Sequence, residues 1–375
     1  MKKIIILNHG LHIAGVSRAL VNLANALAEN GNDVTIKLEI NDFTLAGDLD
    51  SRVKAQLFLK EWRIFGRRIP GFLRFYNLFL KMMYKLSPKL LYKMIVGKGY
   101  DVEIAFNRGA AARIIAASAK KTAKTLAWVH SDYMRCGNGL AGFFSREEAA
   151  EAYGRFDQIV CVSPQSLRAF REAIGDYDTL VTRHNIVDFQ RIRKQSQESV
   201  PACTGKLLTA VGRLCEAKNY PMMLDAAALL KQRGVEFTLW IVGGGADREA
   251  LEQKKQALGL DCVEFLGSKQ NPYPYLAAAD AYVCSSIYEG LSTTTIEALI
   301  LGKPCVVTDC TGMRDILGDS EFGMVVPITA EALADGMEKM LTDEALRTHY
   351  AHQAVVRAKE YAPEKCLKEI EALCD

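Results

Sequence analysis

Arg213 and Lys218 form a pair of cations five residues apart, in the stretch G-R-L-C-E-A-K-N that follows an apolar run. The guanidinium of an arginine forms two parallel hydrogen bonds with phosphate oxygens, and a lysine adds a compact point charge. The two side chains could therefore clamp a diphosphate. The same spacing is also typical of a solvated loop with two surface cations, so the pair alone leaves both interpretations open.

Two carboxylates, Glu289 and Glu297, lie in the stretch Y-E-G-L-S-T-T-T-I-E-A-L. A carboxylate accepts hydrogen bonds from two vicinal hydroxyls, as on a ribose or a hexose. The free backbone N–H groups of residues 292–295 would meet a phosphate at the start of the predicted helix. Thr294 and Glu297 also have the spacing of a capping box, which needs no ligand. The stretch therefore predicts either a ligand site or an ordinary helix start.

Three further features follow predicted strands. His130 ends the apolar run KTLAWVH, where an imidazole could bond either a substrate hydroxyl or the loop backbone. Gly15, in H-I-A-G-V-S-R, fits a tight strand-to-helix turn, and it would also let a substrate approach the helix start. Residues 243–245 are three glycines, but Arg248 stands where the last glycine of a dinucleotide fingerprint belongs, so they predict a turn.

The elements that would position these residues are short apolar strands alternating with helical patterns, which is typical of parallel α/β sheets. The first half predicts strands at 2–8, 33–40, 100–107, 124–130 and 157–163. A turn around Gly15 is followed by a predicted helix with Leu20, Leu23 and Leu27 on one face, which ends at Gly31. The second half predicts strands at 206–212, 236–244, 261–267, 280–286 and 304–309, with helices near 221–233, 247–258, 294–301 and from about 331. We expect two Rossmann-like domains with a cleft between them, and ligands beyond the carboxyl ends of the strands.

Composition narrows the class of protein. The 375 residues are 49% hydrophobic and 24% charged, as in soluble globular chains, which excludes a mainly disordered, collagen-like or disulfide-framework protein. No apolar run approaches the ~18 residues of a membrane span, and the amino terminus predicts a first strand rather than a signal peptide. The ten cysteines form no C-x-x-C pair, which favours buried reduced thiols in a cytosolic protein and no metal site.

Residues 60–98 carry ten of the chain's basic residues, one acidic residue and eight aromatic residues. Basic and aromatic side chains mixed on amphipathic helices suit an anionic bilayer surface, where each Lys or Arg contributes about 1 kcal/mol. The alternative is a helical insertion packed on its own domain with a solvated basic face. No groove-binding or base-stacking module is visible, so we expect no nucleic acid partner.

These pieces occur in one order, and nearly the whole chain resembles the retaining nucleotide-sugar glycosyltransferases of family 4, which have the GT-B fold. V-G-R-L-C-E-A-K-N-Y resembles the family's G-R-x-x-x-x-K motif, and E-G-L-S-T-T-T-I-E-A-L its E-x7-E motif. L-G-K-P-C-V-V-T-D-C-T-G-M-R-D-I-L and the later G-M-V-V resemble the close of the motif region, and residues 185–188 resemble the N-x-x-D stretch before the interdomain link. In the first loop, Ala14 replaces one of the family's two glycines. AGVSRALVNL and YDVEIAF look most like members from bacterial cell-surface polysaccharide synthesis.

The resemblance implies roles for individual residues. Arg213 and Lys218 would grip the donor diphosphate, Glu289 and His130 would contact the donor sugar, and Glu297 would contact the ribose. The base would be held by the main chain near 267–269. The implied catalytic residues are Arg213, Lys218, Glu289 and His130. The implied donor-binding residues are Gly15, Arg213, Lys218, Lys269, Glu289, Leu291, Ser292, Thr293 and Glu297. No metal or separate cofactor is implied, and UDP is favoured over GDP.

The implied layout is an acceptor-binding domain at 1–188, a polar linker at 189–205, a nucleotide-sugar domain at 206–355, and a helix at 356–375 that crosses back to the first domain. The predicted reaction moves a hexosyl unit, with retention, from a nucleotide-diphosphate sugar to a saccharide acceptor. That acceptor would be lipid-linked, at the cytoplasmic face of the cell membrane. A nucleotide-sugar epimerase and a non-catalytic partner subunit on the same scaffold remain alternatives.

Overall fold

A computed structural model describes residues 1–58, 87–118, 123–130 and 143–375. The chain divides into two compact α/β units. The first comprises Met1–Ile186 together with Glu364–Asp375, and the second comprises Val187–Pro363. Each unit is built around one parallel sheet, as the alternation of strand and helix patterns predicted.

The first unit contains a seven-stranded parallel sheet of order β3-β2-β1-β4-β5-β6-β7. Its strands are β1 (Lys3–Asn8), β2 (Asp33–Leu38), β3 (Lys54–Leu57), β4 (Val102–Ala105), β5 (Lys124–Val129), β6 (Gln158–Cys161) and β7 (Leu180–Thr182). Its helices before the last are α1 (Gly15–Glu29), α2 (Pro88–Ile95), α3 (Ala110–Ile115), α4 (Arg146–Tyr153) and α5 (Pro164–Ala173). The central strands are continuous apolar runs because both faces of a parallel sheet are covered.

Helix α1 forms where the leucine spacing predicted it. Leu20, Leu23 and Leu27 recur at helical spacing and are buried, so they form the face that packs on the sheet. The helix ends before Gly31, whose φ of 83° is a left-handed conformation that favours glycine. The first strand–helix pair of the sequence prediction is therefore confirmed.

The second unit contains a six-stranded parallel sheet of order β10-β9-β8-β11-β12-β13. Its strands are β8 (Leu207–Val211), β9 (Thr238–Val242), β10 (Val263–Gly267), β11 (Ala281–Cys284), β12 (Cys305–Thr308) and β13 (Met324–Val326). Its helices are α6 (Phe189–Gln195), α7 (Tyr220–Gln232), α8 (Arg248–Ala257), α9 (Tyr273–Ala278), α10 (Thr293–Ile300), α11 (Met313–Leu317), α12 (Ala330–Thr342) and α13 (Glu344–Ala358). One apolar core joins α7 and α12 to the sheet.

The last helix, α14 (Pro363–Cys374), packs on the first unit. Nζ of Lys2 donates to the carbonyl of Cys374 at 2.9 Å, and the amide of Asn30 donates to the carboxylate of Glu371 at 3.0 Å. The predicted return of the C-terminal helix to the first domain is confirmed. The helix that returns begins at Pro363, because residues 356–358 still belong to α13 in the second unit.

Several elements differ from the sequence prediction. β3, β7 and β13 were not predicted; they have four, three and three residues, too few to show a clear periodicity. Residues 189–205 were predicted as an irregular linker, but the first seven form helix α6. Its start is capped by Asp188, whose carboxylate accepts from the N–H of Arg191 at 2.8 Å.

The predicted basic segment, 60–98, lies largely outside the described residues; only 87–98 fall within them. Nine of the ten cysteines lie within the described residues, and all nine are free thiols. Six of them are buried, as predicted, and the other three are partly exposed. Cys136 lies outside the described part of the chain. No helix among the described residues is both long and apolar enough to cross a membrane.

Candidate functional site

Two loops at the carboxyl edge of the second sheet bring Lys218 and Glu289 together. Lys218 ends a short 3-10 turn after β8, and Glu289 lies in the loop after β11. The Lys218 Nζ and Glu289 Oε1 atoms are 2.5 Å apart, and the side chains are only 19% and 16% exposed. Burial lowers the pKa of Lys218, but the neighbouring Glu289 carboxylate outweighs it, so the pKa is raised overall and the ammonium stays charged at neutral pH.

The same two loops are joined by backbone and hydroxyl contacts. The N–H of Ile287 donates to the carbonyl of Ala217 at 2.9 Å. The Ser285 hydroxyl donates to the carbonyl of Lys218 at 2.7 Å. Ser285 and Ser286, directly after β11, were not among the predicted site residues. Their signal was a pair of hydroxyl side chains, 285 and 286, immediately after a buried strand.

Arg213 lies in the loop that leaves β8, on the same edge of the sheet. Its side chain is exposed and makes no hydrogen bond or ion pair with another residue in the described part of the chain. The guanidinium is therefore open to a ligand. Arg213 and Lys218 thus differ. Arg213 is exposed and has no partner among the described residues, whereas Lys218 is half-buried and paired with a carboxylate.

The three glycines at 243–245 fix this loop through close backbone approach. A Cβ atom at Gly243 would lie 1.8 Å from the carbonyl oxygen of Gly212, and one at Gly245 would lie 2.1 Å from that of Leu214. The N–H of Leu214 also donates to the carbonyl of Gly244 at 2.9 Å. These residues were predicted as a turn, and the structure adds that side chains there would displace the loop carrying Arg213.

Helix α10 begins where Ser292 caps it, not at Thr294. The Ser292 hydroxyl accepts from the N–H of Thr295, and Thr294 is the second residue of the helix. The predicted capping box of Thr294 with Glu297 is therefore wrong, because Ser292 takes the capping position two residues earlier. Glu297 instead accepts a hydrogen bond from the Tyr273 hydroxyl at 3.3 Å.

The loop before α10 presents backbone rather than side chains. Leu291 is 7% exposed, so its side chain packs inward. Thr293 opens the helix and is half-buried. A Cβ atom at Gly312 would lie 2.6 Å from the carbonyl oxygen of Gly290, so that glycine lets the loop pack closely. The first N–H groups of α10 are thus held at the carboxyl edge of the sheet, where a helix start attracts anions.

Lys269 follows β10, which is separated from β11 by the two strands β9 and β8. Its Nζ lies 5.6 Å from the centroid of the Tyr275 ring, within cation–π range. The carbonyl of Gly267 accepts from the N–H of Gly243 at 3.0 Å. Seven of the eight predicted residues between 213 and 297 therefore lie on loops or at a helix start along one edge of the second sheet. The eighth, Glu297, is the fifth residue of α10.

His130 and Gly15 belong to the first unit. The His130 ring lies 4.4 Å from that of Phe106, and its Nδ1 is 3.5 Å from Nδ2 of Asn185. Its Nε2 is buried and has no hydrogen-bond partner among the described residues. Burial lowers the pKa of His130 to about 3, so the imidazole is neutral at pH 7 and one of its nitrogens carries a proton.

Gly15 is the first residue of α1 and is exposed. The preceding residue, Ala14, is the N-cap and has no side chain able to accept from the helix. The first N–H groups of α1 therefore lack a capping side chain, and backbone donors are left for a ligand.

The first sheet also has a pocket of about 680 Å³ at its opposite, amino-terminal edge, lined by Lys3, Lys54 and Lys98 among others. It contains none of the predicted site residues. Ligands of open parallel sheets bind beyond the carboxyl ends of the strands, so we assign this pocket no part in the reaction. The described residues contain no cluster of metal-ligating side chains.

Comparison with known families gives two adjacent matches. The model described as "Glycosyltransferase Family 4" matches residues 13–191, and "Glycosyl transferases group 1" matches residues 191–357. The boundary between them falls at the start of the second unit, inside α6.

Curated relatives include an N-acetylgalactosaminyltransferase of Campylobacter jejuni that acts on a diphospho-undecaprenol-linked saccharide. It is 34% identical over 181 residues, 48% of each chain. The lipopolysaccharide core glycosyltransferase LpsE of Rhizobium meliloti is 34% identical over 39% of this chain and 43% of its own. The chain spans about half the length of these relatives. An uncharacterised glycosyltransferase of Haemophilus influenzae is 23% identical over 98% of this chain and 99% of its own.

Solved structures share the fold over the full length. Anabaena HepE, crystallised with UDP and glucose, has a TM-score of 0.76 at 18% identity and covers 99% of each chain. TarM of S. aureus has a TM-score of 0.77 at 15% identity over all of both chains. Because the two family models run without a gap from residue 13 to 357 and the sheets match these structures, the chain belongs to glycosyltransferase family 4 and has the GT-B fold.

Proposed function

We propose that this protein transfers a hexosyl unit from a UDP-sugar to a saccharide hydroxyl, with retention of configuration. The observation that carries the proposal is the half-buried Lys218–Glu289 ion pair at the carboxyl edge of the second sheet. A charged pair is held there with one exposed guanidinium, Arg213, and one helix start on the same edge. That set of groups suits a ligand with an anionic part and a hydroxyl-rich part.

The anionic part of the ligand is the diphosphate. Arg213 is free to form two parallel hydrogen bonds with phosphate oxygens, and Lys218 remains an ammonium at neutral pH. The N–H groups at Ser292 and Thr293 add the positive end of α10. As the sugar leaves, negative charge builds on the diphosphate. These groups would stabilise that charge in the transition state without reorganising.

The hydroxyl-rich part is the sugar and the ribose. Lys218 and Ser286 both bond Oε1 of Glu289. Oε2 is thus the oxygen we assign to a sugar hydroxyl, and Glu297, oriented by Tyr273, to the ribose hydroxyls. For the base we assign the backbone at 267–269, with Lys269 held over Tyr275.

From the first unit we assign His130 to the donor sugar and Gly15 to a donor phosphate. A neutral imidazole can donate to or accept from a hydroxyl, and the buried Nε2 of His130 has no partner among the described residues. The uncapped start of α1 at Gly15 offers N–H donors to an anion.

The acceptor we propose is a lipid-linked saccharide, the class of acceptor after which the Campylobacter jejuni relative is named. Helix α2 supports a membrane-facing first unit. Its Leu91 and Ile95 are buried in the core, whereas Leu90 and Met94 are 45% and 47% exposed. Lys93 stands beside them and is also exposed. A helix with exposed apolar and basic side chains on its outer face suits an anionic bilayer surface.

The test is a thermal-shift titration of the purified protein with UDP, GDP, ADP and NAD, with and without Mg²⁺. We expect UDP to stabilise the protein without metal; a ligand at a hundred times its Kd adds about 2.7 kcal/mol. Stabilisation by NAD alone would contradict the proposal. A panel of UDP-sugars then identifies the donor, and NMR of the product reports the anomeric configuration. Conversion of a donor to another UDP-sugar without acceptor would indicate an epimerase.

A further inference from the structure

The two residues directly after β11, Ser285 and Ser286, are among the most buried polar residues of the second unit. They are 1% and 0% exposed. A buried hydroxyl is destabilising unless it is hydrogen-bonded, so their bonds indicate what they are for. Ser285 donates to the main-chain carbonyl of Lys218, and Ser286 donates to the carboxylate of Glu289, so each bonds a different member of the pair.

Ser286 holds the carboxylate. Its hydroxyl donates to Oε1 of Glu289 at 2.8 Å, the same oxygen that Lys218 contacts. The carbonyl of Ser286 in turn accepts from the hydroxyl of Thr308, at the end of β12, at 2.6 Å. Thr308 is fully buried. The carboxylate is therefore tied through Ser286 to the neighbouring strand of the sheet.

Ser285 holds the lysine through its main chain. Its hydroxyl donates to the carbonyl of Lys218 at 2.7 Å, and the adjacent N–H of Ile287 donates to the carbonyl of Ala217. The turn that carries the ammonium is thus fixed to the strand end that carries the carboxylate. Ser285 touches no charged atom, so its effect on the ammonium is indirect.

We propose that Ser285 and Ser286 are positioning residues of the donor site, with separate tasks: Ser285 sets the place of the Lys218 ammonium for the diphosphate, and Ser286 sets the place of the Glu289 carboxylate for the sugar. This inference rests on the proposed function. Glu289 needs a second, neutral donor because a bound diphosphate competes with its carboxylate for the ammonium of Lys218. The diphosphate shares that ammonium and so weakens its bond to Glu289. The Ser286 hydroxyl still holds Oε1 and leaves Oε2 facing the sugar.

The experiment compares S285A, S286A and S286C with the wild-type protein. It measures the Kd of UDP by calorimetry and the rate of UDP release from UDP-glucose, UDP-galactose, UDP-GlcNAc and UDP-GalNAc. UDP lacks the sugar, so S286A should leave its Kd within about twofold while kcat falls about tenfold, the size of one hydrogen bond to a charged group. S285A should weaken UDP binding about fivefold, the size of one neutral hydrogen bond.

Two controls separate positioning from general damage. S286C fills the same volume with a weaker donor, so it should fold and should lose turnover in the same way as S286A. In an E289Q background, S286A should lower kcat no further, because a residue that acts only through the carboxylate has nothing left to position. An undiminished effect of S286A in that background would show a merely structural role.

The outcomes also distinguish this inference from the proposed function. If the wild-type protein neither binds UDP nor releases it from any of the four donors, the proposed function is wrong and the positioning roles fall with it. If the wild-type protein does both, and S286A either matches it in turnover or loses UDP binding as strongly as S285A does, the function stands and the separate tasks are wrong.

Discussion

The carboxyl edges of the two sheets differ in how far their polar groups are already paired. In the second unit, Lys218 and Glu289 bond each other. Two buried serines also bond them, one through the main-chain carbonyl of Lys218 and one through the carboxylate of Glu289. In the first unit, the buried Nε2 of His130 has no partner among the described residues, and the start of α1 at Gly15 lacks a capping side chain.

That difference suggests separate tasks for the two units. Charged groups held in place before a ligand arrives stabilise developing charge without reorganising, which suits the diphosphate common to all nucleotide-sugar donors. A buried nitrogen without a partner is destabilising until something bonds it, which suits a group that only the bound substrate supplies. We infer that the polar groups of the second unit are hydrogen-bonded in place before a ligand binds. Those of the first unit gain their missing hydrogen bonds from the ligand itself.

The largest effect should come from breaking the half-buried pair. Lys218→Ala leaves the half-buried Glu289 carboxylate without its cation. For a fully buried pair such a loss destabilises by about 3–5 kcal/mol, and we expect a loss near the lower end of that range. The substitution also removes the ammonium group that would stabilise the negative charge on the leaving diphosphate, so kcat/KM should fall at least about a hundredfold. Urea denaturation and steady-state kinetics measure the two effects. The matched control is Lys254→Ala, which breaks a more exposed pair with Asp225 and should change stability by less than about 1 kcal/mol.

A smaller loss should follow from Gly243→Ala. The new Cβ would lie 1.8 Å from the carbonyl oxygen of Gly212, so the loop before Arg213 must move, and we expect a loss of about 3 kcal/mol together with weaker UDP binding. Gly259→Ala is the control. Gly259 also has a left-handed φ, 61°, but no atom within 4 Å, so only the conformational strain of about 1 kcal/mol should appear. Equal losses in the two variants would argue against a loop held by close packing.

The buried imidazole of His130, in the first unit, predicts a pH dependence of stability. Burial lowers the pKa of His130 from 6.5 to about 3. The unfolded chain therefore takes up the proton first, and stability is lost as the pH falls from 6.5 towards 3. Between pH 6.5 and about pH 5, the free energy of unfolding of the wild-type protein should fall about 2 kcal/mol more than that of His130→Gln.

The control for that comparison is His349→Gln, because His349 is exposed on α13. Denaturant titrations at several pH values give the slopes, and the carboxylates common to both proteins cancel in the difference. Parallel slopes for the wild-type protein and His130→Gln would mean that this imidazole is not kept neutral by burial.

Local sequence patterns predicted much of the fold and the strand-end positions of the candidate site residues. The leucine spacing of α1 and the strand-end position of Lys218 and Glu289 were visible because each depends on a few neighbouring residues. The roles of Ser285 and Ser286 were not visible, because they depend on which loops meet across the sheet. In S-T-T-T, Ser292 and Thr294 are both good caps, and only the path of the loop decides that Ser292 starts the helix.

The smallest effect concerns the outer face of α2. Neutralising one exposed lysine, Lys93→Gln, removes about 1 kcal/mol of attraction to an anionic surface, so binding to vesicles of anionic and zwitterionic lipid should weaken about fivefold. Lys339→Gln is the control, since Lys339 is exposed on α12 of the second unit and should leave vesicle binding unchanged. UDP binding should not change in either variant. Equal vesicle binding by Lys93→Gln and the wild-type protein would mean that α2 does not face the membrane. Equal weakening by Lys93→Gln and Lys339→Gln would mean that the attraction depends only on the net charge of the protein.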